Sequence, residues 1–520
     1  MPYKILKKIK PRKYQEEIFE NCKNKNCLVI LPTGIGKTLI ALMLSIHTQR
    51  KYPGTKTLFL APTRPLAEQH LKYFKKQLPD LFGELTLFTG KINSEKRKKL
   101  WQTSDIIFST PQCVSNDIKN KLYNLNEVSL LIEDECHRCL KNYAYTYVAK
   151  KYKEQSNGQI LGLTASPGTD KETIKQIASN LQIETIELRT RDSEDVKEYL
   201  QELKFQTINL EFPKEFLEMD IILKELRDKK IQELKNRKLL YKNPNKITLL
   251  ETQKKIMKSI TSGNKNFNLL SGASACAQAL KISHLIELLE TQTLYTSLNY
   301  IKSIFKQAES NQSKAVKQLI KKPEFNQVYI KINELISKKT EHPKLIKLKQ
   351  IIQDLIKNPK LKVIVFSQYR DSVIKICKEL NSIEGINAKV FIGQTKKNES
   401  GLSQKEQQEI IEEFKQGKIN IICSTSIGEE GLDIPEVNSV IFYEPIPSAI
   451  RSIQRRGRTA RLMKGQLIIL VTKKTLDETF YYASIGKEKR MHKAIKSIKE
   501  DLDKGISIKP ENKENQKKLF

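Results

Sequence analysis

Short apolar runs of strand length alternate with helical segments along two long stretches of this chain. In the first stretch the runs are CLVIL (27–31), TLFLA (57–61), LTLFT (85–89), DIIFS (105–109), SLLIE (129–133) and ILGLT (160–164). Helical patterns such as PLAEQHLKYFKKQL (65–78) separate them. Strands spaced by helices predict βαβ units and a parallel sheet, because parallel strands can be joined only by long crossovers.

The same alternation resumes at residue 362 and predicts a second parallel sheet. Its runs are KVIVFS (362–367), AKVFIG (388–393), NIICST (420–425), SVIFYE (439–444) and QLIILVT (466–472). A further pattern after residue 473 predicts one long helix.

Between the two stretches, from 213 to 344, the strand signal fades and helical periodicity takes over. This segment carries 25 Lys and Arg residues against 13 Asp and Glu residues, and no alternation of aromatic with basic residues marks a stacking surface. It predicts a basic, all-helical domain inserted between the sheets. The predicted domains are 1–204 (first sheet), 213–344 (helical insert), 205–212 with 345–503 (second sheet) and 504–520 (flexible tail).

The charge balance of the 520 residues favours a polyanionic partner. Lys and Arg number 92 against 59 Asp and Glu, a formal net charge of +33, and bound phosphates release counterions. A lysine-rich proteome whose surface lysines only improve solubility is the alternative explanation. The eight cysteines are scattered, and neither a signal peptide nor a run of 18 apolar residues occurs, so a cytoplasmic protein without a membrane span is expected.

The stretch LPTGIGKT (31–38) joins a predicted strand to a predicted helix, which is the context of a phosphate-binding loop. Lys37 is expected to reach the β- and γ-phosphates of ATP, and the Thr38 hydroxyl to bind Mg²⁺. The first position of the usual pattern, a glycine, is Leu31 here. A glycine-rich turn without a ligand is the alternative.

The apolar run at 128–132 leads into three acids, Glu133, Asp134 and Glu135. If Lys37 and Thr38 hold a triphosphate, a neighbouring strand must supply a carboxylate for Mg²⁺ and another that orients the attacking water. Asp134 suits the first role and Glu135 the second. Acids that only cap the next helix are the alternative.

Seven motifs in this order resemble those of superfamily 2 helicases and translocases. They are LPTGIGKT, APTRPLAEQ (61–69), STPQ (109–112), DECH (134–137), TAS (164–166), STSIGEEGLDIP (424–435) and QRRGRTAR (454–461). The resemblance implies two RecA-like domains with an all-helical domain inserted between them, and ATP and Mg²⁺ as cofactors.

Finer features are similar to the archaeal Hef helicase and its eukaryotic relative FANCM. These are the DECH box, YEPIPSAIRSIQRRGRTAR (443–461), GLSQKEQQEII (401–411) and the helical insert. The resemblance implies an archaeal, nucleoid-associated helicase or translocase that acts on forked or branched DNA in repair or fork restart. A motor of the RIG-I-like and Dicer type, stimulated by double-stranded RNA, and an ATP-gated scaffold that recruits a separate nuclease are the rival hypotheses.

The resemblance also assigns roles to residues at the nucleotide. Arg12 and Gln15, with Tyr14, match the family's adenine-reading motif. The remaining nucleotide-binding residues are expected to be Pro32, Thr33, Gly34, Ile35, Gly36, Lys37, Thr38, Gly431 and Asp433, and Thr164 to Ser166 to couple hydrolysis to movement. Gln454, Arg458 and Arg461 share one helix face by spacing, so the two guanidiniums can stabilise charge in phosphoryl transfer between the sheets.

Nucleic acid is expected to cross both sheets through contacts to its phosphate backbone. The predicted contacts are Thr63, Arg64, Thr89, Gly90, Thr110, Ser367, Gln394 and Thr425. The insert is expected to grip the duplex near a branch. No nuclease signature follows the last helicase motif, so a separate XPF-type nuclease is an expected partner, and QKKLF (516–520) is weakly similar to sliding-clamp peptides.

Overall fold

The computed structural model describes residues 5–7, 9–168, 170–200, 203–264, 266–310, 313–357, 361–393, 401–425, 435, 437–446, 448 and 465–506. The strands are β1 (Cys27–Ile30), β2 (Lys56–Leu60), β3 (Leu85–Phe88), β4 (Ile106–Ser109), β5 (Val128–Asp134), β6 (Gln159–Thr164), β7 (Thr185–Leu188), β8 (Leu203–Leu210), β9 (Val363–Phe366), β10 (Ala388–Phe391), β11 (Ile421–Ser424), β12 (Ser439–Phe442) and β13 (Gly465–Thr472).

The helices of the first domain are α1 (Lys13–Cys22), α2 (Lys37–Lys51), α3 (Arg64–Gln77), α4 (Ser94–Thr103), α5 (Pro111–Lys119), α6 (Ala144–Gln155), α7 (Lys171–Asn180) and α8 (Glu194–Lys197). The insert contains α9 (Lys214–Asn236), α10 (Lys246–Thr261), α11 (Phe267–Thr291), α12 (Leu294–Glu309), α13 (Lys314–Ile320) and α14 (Pro323–Ser337). The helices after the insert are α15 (Pro343–Leu355), α16 (Arg370–Leu380), α17 (Gln404–Lys415) and α18 (Leu476–Asp503).

The first sheet has seven strands in the order β3-β4-β2-β5-β6-β1-β7, and all of its strand pairs are parallel. Its central strand β5 is buried over all seven residues, which explains why it reads as a continuous apolar run rather than an alternating one. The carboxyl ends of these strands share one edge, and in open α/β sheets ligands bind at that edge.

The second sheet has six parallel strands in the order β10-β11-β9-β12-β13-β8. The chain enters it through β8, which pairs with β13 from Leu203↔Gly465 to Leu210↔Thr472 before the insert begins. Residues 205–212 are predicted in this domain, but no apolar run in the sequence indicates β7 or β8. β8 lies at the sheet edge, and its residues are exposed or half-buried, so it carries no apolar run.

The insert packs its helices around a core of its own. Phe216 on α9, Leu285 on α11, Ile301 on α12 and Phe325 on α14 are fully buried in one cluster. The longest of these helices, α11, has 25 residues and therefore spans about 37 Å.

Helix α18 bridges the two sheets. At its first turn, Asp477 forms a fully buried ion pair of 2.7 Å with Lys344 beside the second sheet. Further along, Met491, Ile495 and Ile498 join the core of the first sheet. The sequence analysis assigned the whole helix to the second domain, but its second half packs against the first.

The predicted fold class, two parallel-sheet domains with a helical domain between them, is confirmed by this architecture. Within the described residues, none of the helices combines the length and the apolar character needed to cross a membrane.

Candidate ATP site and nucleic-acid edge

The loop between β1 and α2 has the backbone of a phosphate-binding loop. Gly34 and Gly36 adopt left-handed conformations with φ of 85° and 91°, which L-residues with a side chain adopt only at a cost. Helix α2 starts at Lys37, whose Nζ donates a hydrogen bond of 3.0 Å to the Leu31 carbonyl. The loop therefore presents a helix N-terminus and a lysine together, the two features that bind phosphate.

Two side chains that precede the loop in sequence donate hydrogen bonds to its backbone carbonyls. The Tyr14 hydroxyl donates to the Ile35 carbonyl, and Gln15 Nε2 donates to the Ile35 and Gly36 carbonyls at 3.2 and 3.4 Å. Gln15 Oε1 accepts from the Arg12 backbone N–H at 2.9 Å. Both ends of the Gln15 amide are thus occupied by the chain itself, so its reading of an adenine edge stays a prediction.

Asp134, the last residue of β5, is buried and paired. Its Oδ2 atom lies 2.9 Å from Nε2 of His70, a buried residue of α3. Burial raises the pKa of Asp134, but the hydrogen bond and charge of His70 and the charge of Lys37 lower it to below its ordinary value. The carboxylate is therefore kept ionised close to the Lys37 ammonium.

Glu135 follows in a left-handed backbone conformation with φ of 53°, which is uncommon for a residue other than glycine. Its buried Oε2 atom lies 3.3 Å from Nδ1 of His137. The same nitrogen lies 3.2 Å from the Thr164 hydroxyl, which accepts from the Ser166 N–H at 3.1 Å. The DECH box and the TAS motif are therefore linked through one imidazole.

Glu133 has a different environment from the two acids after it. It is fully buried, and burial raises its pKa well above the ordinary value, although the Cys139 thiol and the Lys153 charge lower it. A raised pKa disfavours the charged form of this carboxyl group, so Glu133 is a poor ligand for a cation. Asp134 and Glu135 instead stand at the carboxyl end of β5, on the sheet edge that also carries the phosphate-binding loop.

Mg²⁺ fits this donor set. Asp134 supplies an ionised oxygen that His70 does not occupy, and Thr38 lies in the first turn of α2, one residue after Lys37. Hard oxygen donors with substrate phosphates and water are the usual ligands of Mg²⁺. When bound, the ion would neutralise charge that develops on the phosphates.

The strand order separates two groups of residues along the edge of the first sheet. The nucleotide residues follow β1 and β5, whereas Thr63, Arg64, Thr89, Gly90 and Thr110 follow β2, β3 and β4. In the second sheet, Ser367 and Thr425 likewise follow neighbouring strands, β9 and β11. The predicted nucleic-acid contacts therefore form one half of each sheet edge, although contact itself stays a prediction.

The exposure of these residues differs. Gly90 is exposed, and Thr63, Arg64 and Thr110 are half-buried at the first turns of α3 and α5. Thr89 and Thr425 are buried. Ser367 is fully buried, and its hydroxyl lies 3.0 Å from Glu444 and 3.1 Å from Gln292, so its contact with a phosphate backbone stays a prediction.

Six predicted residues lie outside the described part of the chain. They are Gln394, Gly431, Asp433, Gln454, Arg458 and Arg461. The contribution of the second sheet to the ATP site therefore stays a prediction.

Sequence reasoning missed the supporting residues of the site. His70 was read only as part of an amphipathic helix, and Ser166 donates a hydrogen bond of 2.9 Å to Met491 of α18, more than 300 residues away in the chain. A histidine on the buried face of α3 was the one available signal for His70. No local pattern indicates the Met491 contact.

Comparison with known families matches all three parts of the chain. Residues 12–174 match the DEAD/DEAH box helicase family, 343–463 match the helicase conserved C-terminal domain, and 215–342 match the helical bundle of a putative ATP-dependent RNA helicase. With the phosphate-binding loop and the DECH box on adjoining parts of one sheet edge, the chain is a superfamily 2 helicase, a class of nucleic-acid-dependent ATPases.

More specifically, the chain belongs to the helicase group of archaeal Hef and eukaryotic FANCM. It is 40% identical to the crystal structure of the Pyrococcus furiosus Hef helicase domain, with a TM-score of 0.70, and the match covers 91% of this chain and 98% of that one. A putative ATP-dependent RNA helicase of Methanocaldococcus jannaschii is 38% identical over 95% of this chain. The mouse Fanconi anemia group M protein homolog is 29% identical over 94%. The chain spans 61% and 26% of those two relatives.

Proposed function

We propose that this protein is an ATP-dependent DNA helicase or translocase that acts on forked or branched DNA in repair or replication-fork restart. The observation that carries the proposal is the placement of Lys37 of the phosphate-binding loop beside the ionised Asp134 of the DECH box, in a chain so similar to the Hef helicase domain.

In this proposal the first sheet binds and orients ATP. Lys37 and the N-terminus of α2 hold the phosphates, Asp134 and Thr38 hold Mg²⁺, and Glu135 orients the attacking water. Arg458 and Arg461 would approach from the second sheet, so hydrolysis would depend on closure of the two sheets. His137 and Thr164 would carry the state of Glu135 to the TAS motif.

The tip of the insert, defined as residues 237–270, is the surface that we propose contacts the branch. Tyr241 and Phe267 are 83% and 80% exposed there, more than any other aromatic residue in the described ranges. The Arg237 guanidinium lies 5.9 Å from the Phe267 ring, and Lys254 and Lys258 of α10 are exposed in the same segment of the chain. Exposed rings among cations suit unpaired bases and their phosphates. No regular aromatic pattern marks this surface in the sequence, because Tyr241 lies between α9 and α10 whereas Phe267 begins α11.

An RNA-directed motor is the second candidate, favoured by the names of the matched helical bundle and of the M. jannaschii relative. One experiment separates the two: the ATP hydrolysis rate without nucleic acid and with single-stranded DNA, forked DNA or double-stranded RNA. Lys37→Ala is the blank. Strongest stimulation by forks is expected, whereas a preference for the RNA would overturn the DNA assignment.

The same assay addresses the insert tip. The double variant Tyr241→Ala/Phe267→Ala is expected to lose fork stimulation while its stimulation by single-stranded DNA persists. Tyr482→Ala is the matched control, since Tyr482 is 66% exposed but lies on α18. A fork response equal in both variants would exclude the tip as the contact.

Partners beyond DNA belong to the same proposal. A separate XPF-type nuclease would supply strand cleavage at the branch, and a sliding clamp would bind 516–520, a segment outside the described residues. A protein that acts on replication forks would work in the cytoplasm, at the nucleoid. Co-purification of a nuclease only in the presence of forked DNA is the test of the first partner.

A further inference from the structure

The insert is joined to the second sheet by a buried polar network at the end of α11. Gln292, the residue after that helix, is 1% exposed. Its Oε1 atom accepts from the Ser372 hydroxyl at 2.8 Å and lies 3.1 Å from the Ser367 hydroxyl. Ser372 also bonds Thr296 of α12 at 2.8 Å. The Gln292 amide is therefore one of the bonds between the insert and the region after β9, alongside those of Tyr369 to Glu287 and of Asn299 to Asp371.

A buried carboxylate holds the other side of the same loop. Glu444, two residues after β12, is fully buried. Its Oε1 atom accepts from the Gln368 backbone N–H at 2.5 Å, and its Oε2 atom lies 3.0 Å from the Ser367 hydroxyl. The single proton of that hydroxyl is shared between Glu444 and Gln292. Any shift of Gln292 therefore alters how the carboxylate of Glu444 is bonded.

These contacts form a connection between three separate regions. The exposed tip lies at the start of α11, and Gln292 lies at its other end, about 37 Å away. Ser367 and Gln368 begin the loop between β9 and α16, and Glu444 begins the segment that leads to QRRGRTAR. A tilt of α11 at its tip would therefore move Gln292. Through Gln292 it would move the loop after β9 and Glu444, where the segment with the predicted arginines begins.

We propose that Gln292 is a positioning residue through which the helical insert sets the loop after β9 and the Glu444 carboxylate, so that substrate bound at the insert changes ATP turnover. This inference rests on the proposed function for the identity of the substrate, whereas the contacts of Gln292 do not depend on it. Gln292 itself touches neither ATP nor DNA; it acts through Ser367, Ser372 and Glu444.

Helix α11, which Gln292 follows, contains a matched control. Gln278 is also 1% exposed, but its Nε2 atom donates to Ser274 and Gln318, both within the insert. Gln292→Met and Gln278→Met each remove one buried amide of nearly the same shape. Only the first removes a bond between the insert and the second sheet.

Two measurements test the proposal. The first is kcat and KM for ATP with and without forked DNA; in Gln292→Met the fork-stimulated kcat is expected to fall about 5-fold or more with little change in KM. The second is hydrogen exchange of the amides at 363–372, which is expected to quicken in Gln292→Met. Gln278→Met is expected to match the wild type in both.

Each outcome decides the question. An unchanged fork-stimulated kcat in Gln292→Met overturns the proposal, and so does an equal loss in Gln278→Met, which would mean that any weakening of the insert suffices. If the wild type shows no fork stimulation at all, the proposed function fails, and hydrogen exchange then decides the coupling. Unchanged exchange at 363–372 in Gln292→Met would overturn it.

Discussion

At the scale of single residues, the site depends on two positions with a left-handed backbone, Glu135 and Gly36. Glu135 adopts a left-handed backbone conformation that directs its carboxylate toward His137, away from the helix-capping role that three acids after a strand could also serve. Strained conformations of this kind persist only where the surrounding structure imposes them, and they concentrate at functional sites. The capping alternative is therefore disfavoured for Glu135.

Glu135→Gln is expected to bind ATP but to lose hydrolysis by about 10²–10⁴-fold, because an amide cannot take a proton from the attacking water. Single-turnover hydrolysis and equilibrium binding of a fluorescent ATP analogue are the measurements. Glu154→Gln, at an exposed surface carboxylate, is the control. Full unwinding activity in Glu135→Gln would end the motor hypothesis and favour the scaffold.

Gly36→Ala is expected to weaken ATP binding by at least about tenfold. The added Cβ atom would overlap Gln15 Nε2 and displace the clamp that holds the loop. Gly54→Ala is the matched control, because Gly54 also has a left-handed backbone, with φ of 79°, but no atom lies within 4 Å of an added Cβ. Both variants bear a similar backbone cost of about 1 kcal/mol. Equal ATP affinity in the two would contradict the clamp.

At the scale of elements, the junction of the insert with α15 and α18 contains a cluster of buried charged residues. Lys344 and Asp477 are both fully buried, and Lys344 Nζ also donates to the Thr291 carbonyl at 2.6 Å. Glu290 accepts from Lys224 at 2.7 Å and from the Leu476 N–H at 2.7 Å. Buried polar groups that bond one another across elements favour one relative arrangement of those elements.

Lys344→Met is expected to destabilise the protein by about 3–5 kcal/mol, because Asp477 would remain buried without its cation. The double variant Lys344→Met/Asp477→Leu should recover part of that loss. Chemical denaturation followed by circular dichroism measures both. Lys349→Met on the same helix is the control, since its pair with Glu379 is partly exposed and should contribute under about 1 kcal/mol. A double variant less stable than the single one would refute this account.

Glu290 introduces a pH dependence at the same junction. Burial and the Asp220 carboxylate raise the pKa of Glu290 to about 7, although the hydrogen bonds from Lys224 and Leu476 lower it. The pKa of Glu290 is thus higher in the folded state than in the unfolded state, where it is about 4.3. Protonation of Glu290 therefore stabilises the fold fully below about pH 4.3, and this stabilisation is lost as the pH rises through about 7.

Glu290→Gln, which resembles the protonated form, should therefore become more stable relative to the wild type as the pH rises. The expected difference in unfolding free energy between pH 5.5 and 8.5 is about 1–3 kcal/mol, measured by denaturant titration. Glu309→Gln, an exposed carboxylate on α12, should show no such change. A pH-independent difference for Glu290→Gln would refute the assigned direction of its pKa.

At the scale of the whole molecule, the net charge of +33 and the predicted contacts on the edges of both sheets predict DNA binding that is dominated by phosphate contacts. Affinity for forked DNA is expected to fall by about 10³–10⁵-fold between about 50 and 200 mM salt if six to ten phosphates are held. Fluorescence anisotropy of a labelled fork measures this, with the Tyr241→Ala/Phe267→Ala variant expected to keep the same slope. A flat salt response would refute backbone tracking.

The sequence by itself determined the architecture and the chemistry of the nucleotide half-site. Apolar runs and helical periodicity are local, so they indicated eleven of the strands, the insert and α18, and the motifs named Lys37, Asp134 and Glu135. Strands β7 and β8 were missed because neither is an apolar run: β7 contains Glu187, and β8 is a half-exposed edge strand.

Only the tertiary structure decided which distant residues support that chemistry. The pairing of His70 with Asp134 depends on β2 lying beside β5, and the burial of Ser367 by Gln292 depends on how the insert docks on the second sheet. Spacing along the chain carries no information about such contacts, because strand order and helix packing are set by the burial of all apolar faces together. For the same reason Ser367, which reads as a surface contact in sequence, is a buried link in the fold.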